Sequence, residues 1–511
     1  MSNFKNKLSS FVKGEGVFSG ALSALVVGLA IVANIIIFVL GSYFSLYIHL
    51  DEVEDLTLSG YTDSLFADPI KKGERVKIIF CQSEEEVKAN DKGSRVLETV
   101  KNFKERYGDF IELEFVNIVT KMNNKNEYVD LTVYQTVSEG GKKSPILEST
   151  VIFESDYGHR VLTDSASKTG YANFYTVDTV GNVIAYNGEE TVAAMITSSL
   201  STEKKTAYFT TYHGEISDSA FQNMLAFAGY GIGVIDLLKN EIPEDAELVV
   251  ISNPKKDFKQ ADVNSKVKVR TEIERLRTFV EDGGGKIYVS LDPYTPKLPV
   301  FESFLADYGI KLSETENKKA PAGYLRNIIR DSDSSVTTDF LTIAVECADN
   351  EIGNKVSEKM DKYTDSSVIV KECAALQLSG KAQPLLVASP TAALYAGSDV
   401  VDSEGGYCVA AVTECRGKNP GTIFLTPTVY LTASDALVTE GYANRPFVYS
   451  MIENVFDGKN LPYGCKTVYY TTTTLENLSM KDARLYTALI MAIPAVIAVV
   501  GAVIVIRRKN R

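Results

Sequence analysis

The chain has 511 residues, of which 45% are hydrophobic and 23% charged. That balance belongs to a protein that buries cores, and no repeat or low-complexity tract is present, so repeat and disordered classes are excluded. The formal net charge is −13, with +2 in the first 16 residues and +4 in the last five, which leaves −19 on the stretch between. No basic run is there to neutralise phosphates, and nucleic acid is excluded as a partner.

From Gly16 to Leu50 there is no Asp, Glu, Lys or Arg, and Val17 to Leu40 is almost wholly apolar. As a helix that run would reach roughly 36 Å, enough for about 30 Å of hydrocarbon. Leu485 to Ile506 is a second uncharged run. Lys5, Lys7 and Lys13 precede the first; Arg507, Arg508, Lys509 and Arg511 follow the second. Basic residues stay on the cytoplasmic side. The expectation is a two-pass protein of the cell membrane: cytoplasmic tails at 1–16 and 507–511, spans at 17–42 and 485–506, and the body extracytoplasmic. The bilayer is then its first partner.

Between the spans, 51–73 reads as a polar connector. A first α/β domain is expected over 74–202. VKIIF (Val76 to Phe80) is a β-branched strand, Ser94 to Tyr107 has helical spacing, and IELEFVNI (Ile111 to Ile118) alternates like a half-buried strand. VDLTVYQT (Val129 to Thr136) and STVIFES (Ser149 to Ser155) read as further strands, and EETVAAMITSSL (Glu189 to Leu200) as a helix. Cys81-Gln82-Ser83-Glu84 follows the first strand where a redox pair would stand, but its second cysteine is missing. The six cysteines all fall between the spans, as disulfides or buried thiols.

A second α/β domain is expected over 204–460, with an insertion at about 313–383 and a connector at 461–484. Strands TAYFTT (Thr206 to Thr211), GIGVIDLL (Gly231 to Leu238), AELVVISNP (Ala246 to Pro254) and KIYVSLDP (Lys286 to Pro293) alternate with helices at Asp218 to Gly229, Glu272 to Asp282 and Phe301 to Tyr308. Such alternation implies a doubly wound parallel sheet, amidotransferase-like or flavodoxin-like. PLLVASP, YCVAAVTE and GTIFLTPT resume strand character after the insertion, and Asn444 to Phe456 reads as a closing helix.

The order of these motifs resembles the GldG-like auxiliary component of ABC transport systems associated with gliding motility. NGEETVAAMITSSL precedes TAYFTTYHGE (Thr206 to Glu215), then come G-Y-x-x-x-V-x-x-L at Gly229 to Leu237 and IPEDAELVVISNPKKDF at Ile242 to Phe258. E-x-x-x-L-x-x-F-V-x-x-G-G-G-K-I-x-V-x-L-D-P closes the block at Glu272 to Pro293. The resemblance implies a non-catalytic auxiliary subunit whose body binds a permease or ATPase subunit, or the transported substrate. One departure stands out: Tyr212 occupies the first glycine of the usual Gly-His-Gly-Glu.

Chemistry is sparse. Neither a Walker loop nor a G-x-S-x-G elbow occurs, and no cysteine stands near the KIYVSLDP turn where an amidotransferase would carry its nucleophile. The histidines are too scattered for a metal signature, so no metal and no cofactor are expected. The candidate crevice is His213, Glu215, Asn253 and Asp292, residues that follow strand ends, where open α/β sheets place ligands. Glu215 could orient His213 as an acid/base pair, or Glu215 and Ser217 could cap the next helix while His213 packs the loop. A cryptic hydrolase and a ligand- or glycan-binding sensor are the alternatives to the transport role.

Overall fold

The computed structural model describes residues 56–470 apart from 136–142, 164–169, 178–180, 203–204, 217–218, 260–269, 440 and 460. The described chain is a mixed α/β protein built on several sheets. The two-pass membrane placement expected from sequence is corrected here. Among the described residues no helix is long and apolar enough to cross a membrane, and the runs that carried the expectation, 17–42 and 485–506, lie outside them.

The region read as a connector opens with a helix, α1 (Tyr61–Lys71). Then follow β1 (Val76–Phe80), α2 (Glu84–Ala89), α3 (Asp91–Tyr107), β2 (Ile111–Asn117), β3 (Met122–Asn123), β4 (Val151–Ser155) and β5 (Gly158–Leu162). They form a five-stranded sheet in the order β3-β2-β1-β4-β5, with β1 parallel to β2 and antiparallel to β4. The Asn90 side chain accepts from the Gly93 amide and starts α3, whose Val96, Val100 and Phe103 are buried on one face. The strand expected at Val129 to Thr136 is instead a 3-10 turn over Leu131–Tyr134. The Asp130 carboxylate accepts from the Thr132 amide at 3.0 Å, which turns the chain before a ladder can form. After β6 (Tyr175–Val177) and β7 (Val183–Tyr186) comes α4 (Gly188–Ser199), buried along its whole length.

The second part begins with β8 (Lys205–Thr210), α5 (Ser219–Phe227), β9 (Tyr230–Ile235), β10 (Ala246–Ser252), α6 (Glu272–Glu281), β11 (Lys286–Ser290) and α7 (Pro299–Asp307). Next come β12 (Ile310–Leu312), β13 (Glu314–Glu316), β14 (Tyr324–Arg330), β15 (Thr342–Cys347), α8 (Glu351–Met360), β16 (Val368–Lys371), β17 (Leu376–Leu378) and β18 (Gln383–Ala388). The chain closes through β19 (Ala393–Ala396), β20 (Asp399–Asp402), β21 (Cys408–Glu414), β22 (Thr422–Thr426), α9 (Ser434–Val438), α10 (Asn444–Val455) and β23 (Val468–Tyr469).

Five strands, in the order β9-β8-β10-β11-β22, are mutually parallel and form half of an 11-stranded sheet. Numbered along the chain, that order is 2-1-3-4-5. Side chains alternate between two cores: Leu248 and Val250 of β10 join α5 and α10, while Val249 and Ile251 join α6 and α7. The other half runs antiparallel through β21, β18, β15 and β16. Much of it comes from the stretch read as an insertion, so that stretch is not set apart from the sheet. Only β13 and β14 leave it, to join β19 and β20 in a separate four-stranded sheet. All six cysteines are free thiols. Burial pushes Cys81, Cys347, Cys408 and Cys415 up to about 12, so none is a thiolate at neutral pH.

Candidate functional site

Strand order reverses between β8 and β10, and the crevice beyond their carboxyl ends is where such sheets take ligands. His213 and Glu215 follow β8, Asn253 follows β10, and Asp292 follows β11. All four expected residues meet there in one connected network. The loop after β8 is tight: Tyr212 has φ of +83° and Gly214 +78°. Left-handed backbone suits glycine, which explains the glycine expected at 212 and makes Tyr212 a strained substitute. Asn253 also holds a left-handed φ, +51°.

His213 is only 3% exposed. Its backbone amide donates to Glu215 Oε2 at 2.7 Å, and its Nδ1 lies 3.3 Å from Glu215 Oε1. Its Nε2 lies 3.1 Å from Glu272 Oε1 in α6, an ion pair set off the hydrogen-bond line. One ring face stacks on Phe258 at 4.3 Å, and Phe258 stacks in turn on Phe301 of α7 at 4.5 Å. Burial alone would pull the imidazole down. The two carboxylates outweigh it and raise the group to about 9. Burial pushes Glu215 up in turn, but hydrogen bonds from the His213 ring, from the Thr210 hydroxyl and from the Glu215 and His213 backbone amides together hold it below the usual carboxylate range.

The second pair is equally closed. Asn253 Oδ1 accepts from the Asp292 amide at 3.2 Å and from the Thr295 hydroxyl at 2.8 Å. Asp292 accepts from the Tyr294 amide at 2.8 Å and pairs with Lys255 Nζ at 3.2 Å. Lys255 links the two halves, because its amide donates to the His213 carbonyl at 2.7 Å while its ammonium reaches Asp292 and Thr295.

Chemically this is a clamp. An imidazolium with both nitrogens against carboxylates has no lone pair for a substrate proton at neutral pH. Glu215 holds His213; the cap that sequence allowed it to share with Ser217 falls at 217–218, outside the described residues. Sequence reading missed Glu272, Phe258, Lys255 and Thr295. Glu272 carried a faint signal, as an acidic residue opening an amphipathic helix whose capping duty already belongs to Thr271 and Glu274. Among the described residues, no group of three His, Cys, Asp or Glu is placed to hold a metal ion. At this end Tyr212, Ile216 and Tyr294 are exposed beside Lys255 and Lys256. Lys239 sits 4.2 Å above the Tyr212 ring.

No family model matches the sequence, and no curated protein matches it. The gliding-motility attribute expected from the resemblance is therefore set aside, as the membrane placement read from the apolar runs was above. Solved structures align with half of the chain. The "mmIFT52 N-terminal domain" is 14% identical over 50% of this chain and 99% of its own, with a TM-score of 0.35. PurLQS from Thermotoga maritima is 11% identical over 49% of this chain and 98% of its own, at 0.25. A cytoplasmic protein of Salmonella typhimurium LT2 is 9% identical over 49% and 99%, at 0.30. Likeness this distant carries no argument for what the crevice does.

Proposed function

We propose that this chain is a non-catalytic auxiliary subunit of an ABC-type transport complex, whose doubly wound, amidotransferase-like or flavodoxin-like body binds a partner subunit. The motif order from Asn187 to Pro293 motivates the transport setting. The observation that carries the non-catalytic part is the occupancy of both His213 nitrogens by Glu215 and Glu272. A hydrolase would need that imidazole to take a proton, and a nucleophile beside it. The cluster offers neither. Recognition falls instead to the rim of the crevice, where the exposed rings of Tyr212 and Tyr294 present the aromatic anchors that protein interfaces favour.

Affinity purification of the full chain from its own cells tests this reading. Permease and ATPase subunits should be recovered with the wild-type chain. Tyr212→Ser combined with Tyr294→Ser should cut their recovery about tenfold or more, the scale of a lost aromatic anchor. Asp292→Asn should leave recovery within twofold. Hydrolysis of amide or ester substrates by the wild-type chain, abolished by His213→Gln in a folded protein, would refute the proposal.

A further inference from the structure

Strand β9 is the last strand on its side of the 11-stranded sheet, and among the described residues it pairs only with β8. Its sequence, Tyr-Gly-Ile-Gly-Val-Ile, has no charge, no proline and no bulge. Those are the devices by which proteins blunt an open edge. The direction of its free groups follows from one bond. The Thr211 amide donates to the Ile235 carbonyl, so Ile235 turns its backbone groups toward β8. In a parallel ladder alternate residues bond to the same neighbour. Gly231 and Gly233 therefore also face β8, while the amides and carbonyls of Ile232 and Val234 point away from it. Their side chains are 40% and 57% exposed. On the opposite face the strand is covered: a Cβ on Gly233 would meet the Tyr208 ring at 2.6 Å, and Ile235 is buried.

We infer that β9 is the self-association edge of this protein, pairing antiparallel with β9 of a second copy about a two-fold axis at Gly233. That register sets Ile232 opposite Val234 of the second copy, and the reverse. Four outward backbone groups in each copy then find complements, giving four hydrogen bonds. All four aliphatic side chains come together on one face, as in cross-strand pairs. An isologous contact of this kind closes after two copies. The charges at the strand's ends fit the same symmetry. Exposed Lys239, paired with Asp236 at 2.9 Å, lies just past the carboxyl end, and exposed Asp457, paired with Lys286 at 3.0 Å, lies near the amino end, beside the Phe456 carbonyl that accepts from Tyr230 at 2.9 Å. Antiparallel pairing brings the Lys239 end of one copy to the Asp457 end of the other. The inference stands independently of the transport role.

Sedimentation velocity of the purified full chain over a concentration series tests it. The wild-type chain should pass from 56.0 kDa to twice that mass as concentration rises through the micromolar range. Val234→Pro removes only an outward-pointing donor and leaves the ladder with β8 intact. By symmetry it deletes two of the four hydrogen bonds, and should weaken dimerisation about tenfold or more. Ile232→Lys restores the missing edge charge and should do the same. Hydrogen exchange on the wild type needs no variant: the Ile232 and Val234 amides should be slow at high concentration and fast at low. A chain that stays monomeric, a dimer indifferent to both substitutions, or amides that exchange fast at every concentration would overturn the assignment.

Discussion

Two of the buried charge clusters among the described residues are built differently. The first joins His213 to Glu215 and Glu272 within the second sheet's own crevice. The second joins Glu190 of α4 to Arg445 and Tyr449 of α10, and so bridges the two sheet bodies. Arg445 Nε reaches Glu190 Oε1 at 3.0 Å, a second guanidinium nitrogen reaches Oε2, and the Tyr449 hydroxyl donates to Oε1. Next to it, Glu189 accepts from the Ser59 and Lys466 amides at 2.9 and 2.8 Å, bringing the two ends of the described chain to the same helix. The first cluster has two carboxylates around a cation that can lose its proton. The second has one carboxylate around a cation that cannot. Position in the fold thus goes with the behaviour of the cation: the guanidinium in the bridge between bodies keeps its proton as pH rises, whereas the imidazolium of the clamp under the crevice loses it.

The largest expected effect comes from breaking the bridge. Arg445→Ala leaves Glu190 buried and unpaired, and should cost about 3–5 kcal/mol in denaturant unfolding. Adding Glu190→Gln should recover part of that loss, because the two sites couple. Additive losses would show that the two side chains act separately.

The pH contrast comes next. His213 is raised from 6.5 to about 9 in the folded protein. Its contribution is complete below the unfolded value near 6.5 and is lost as pH rises through about 9, a loss of up to about 3 kcal/mol. Denaturation midpoints should fall across that window in the wild type and fall less in His213→Gln. Titrating groups remote from His213 are common to both chains and cancel in the difference, which leaves His213 and the carboxylates coupled to it. A parallel decline in both would remove His213 as the source.

The smallest effect concerns backbone strain. Tyr212→Gly relieves a left-handed φ of +83° but gives up the contact with Lys239. Melting experiments should show a stabilisation of about 0.5–1 kcal/mol. Destabilisation would mean that the Lys239 contact outweighs the strain.

Much of this was legible in sequence. The strands of the parallel half announced themselves as short runs such as VVIS and IYVS, because both of their faces are buried. His213 and Glu215 could be paired because they are two residues apart. Glu272 could not, since only the fold brings α6 under the loop after β8. Nor did local patterning reveal the role of residues 313–383. Thr342–Cys347 and Val368–Lys371 are short strands among Ser- and Asp-rich turns; they pair with each other, and among the described residues only β18 ties them to the large sheet. Leu131–Tyr134 had strand composition, and the single bond from Thr132 to Asp130 decided against it.

The placement of β22 has a consequence for how the protein is made. It lies inside the large sheet, between β11 and β21, yet it is the last of that sheet's strands to leave the ribosome. At typical rates of about 5–20 residues per second, the gap from residue 290 to residue 426 takes roughly 7–27 s. Throughout that time β11, fully buried in the finished protein, has one flank without its neighbour. Antiparallel strands β15, β16, β18 and β21 are synthesised within the same interval, but β22 is the seam through which they join the parallel half. Nascent chains stalled before residue 422 would hold two half-sheets with facing open edges, the form most in need of a chaperone.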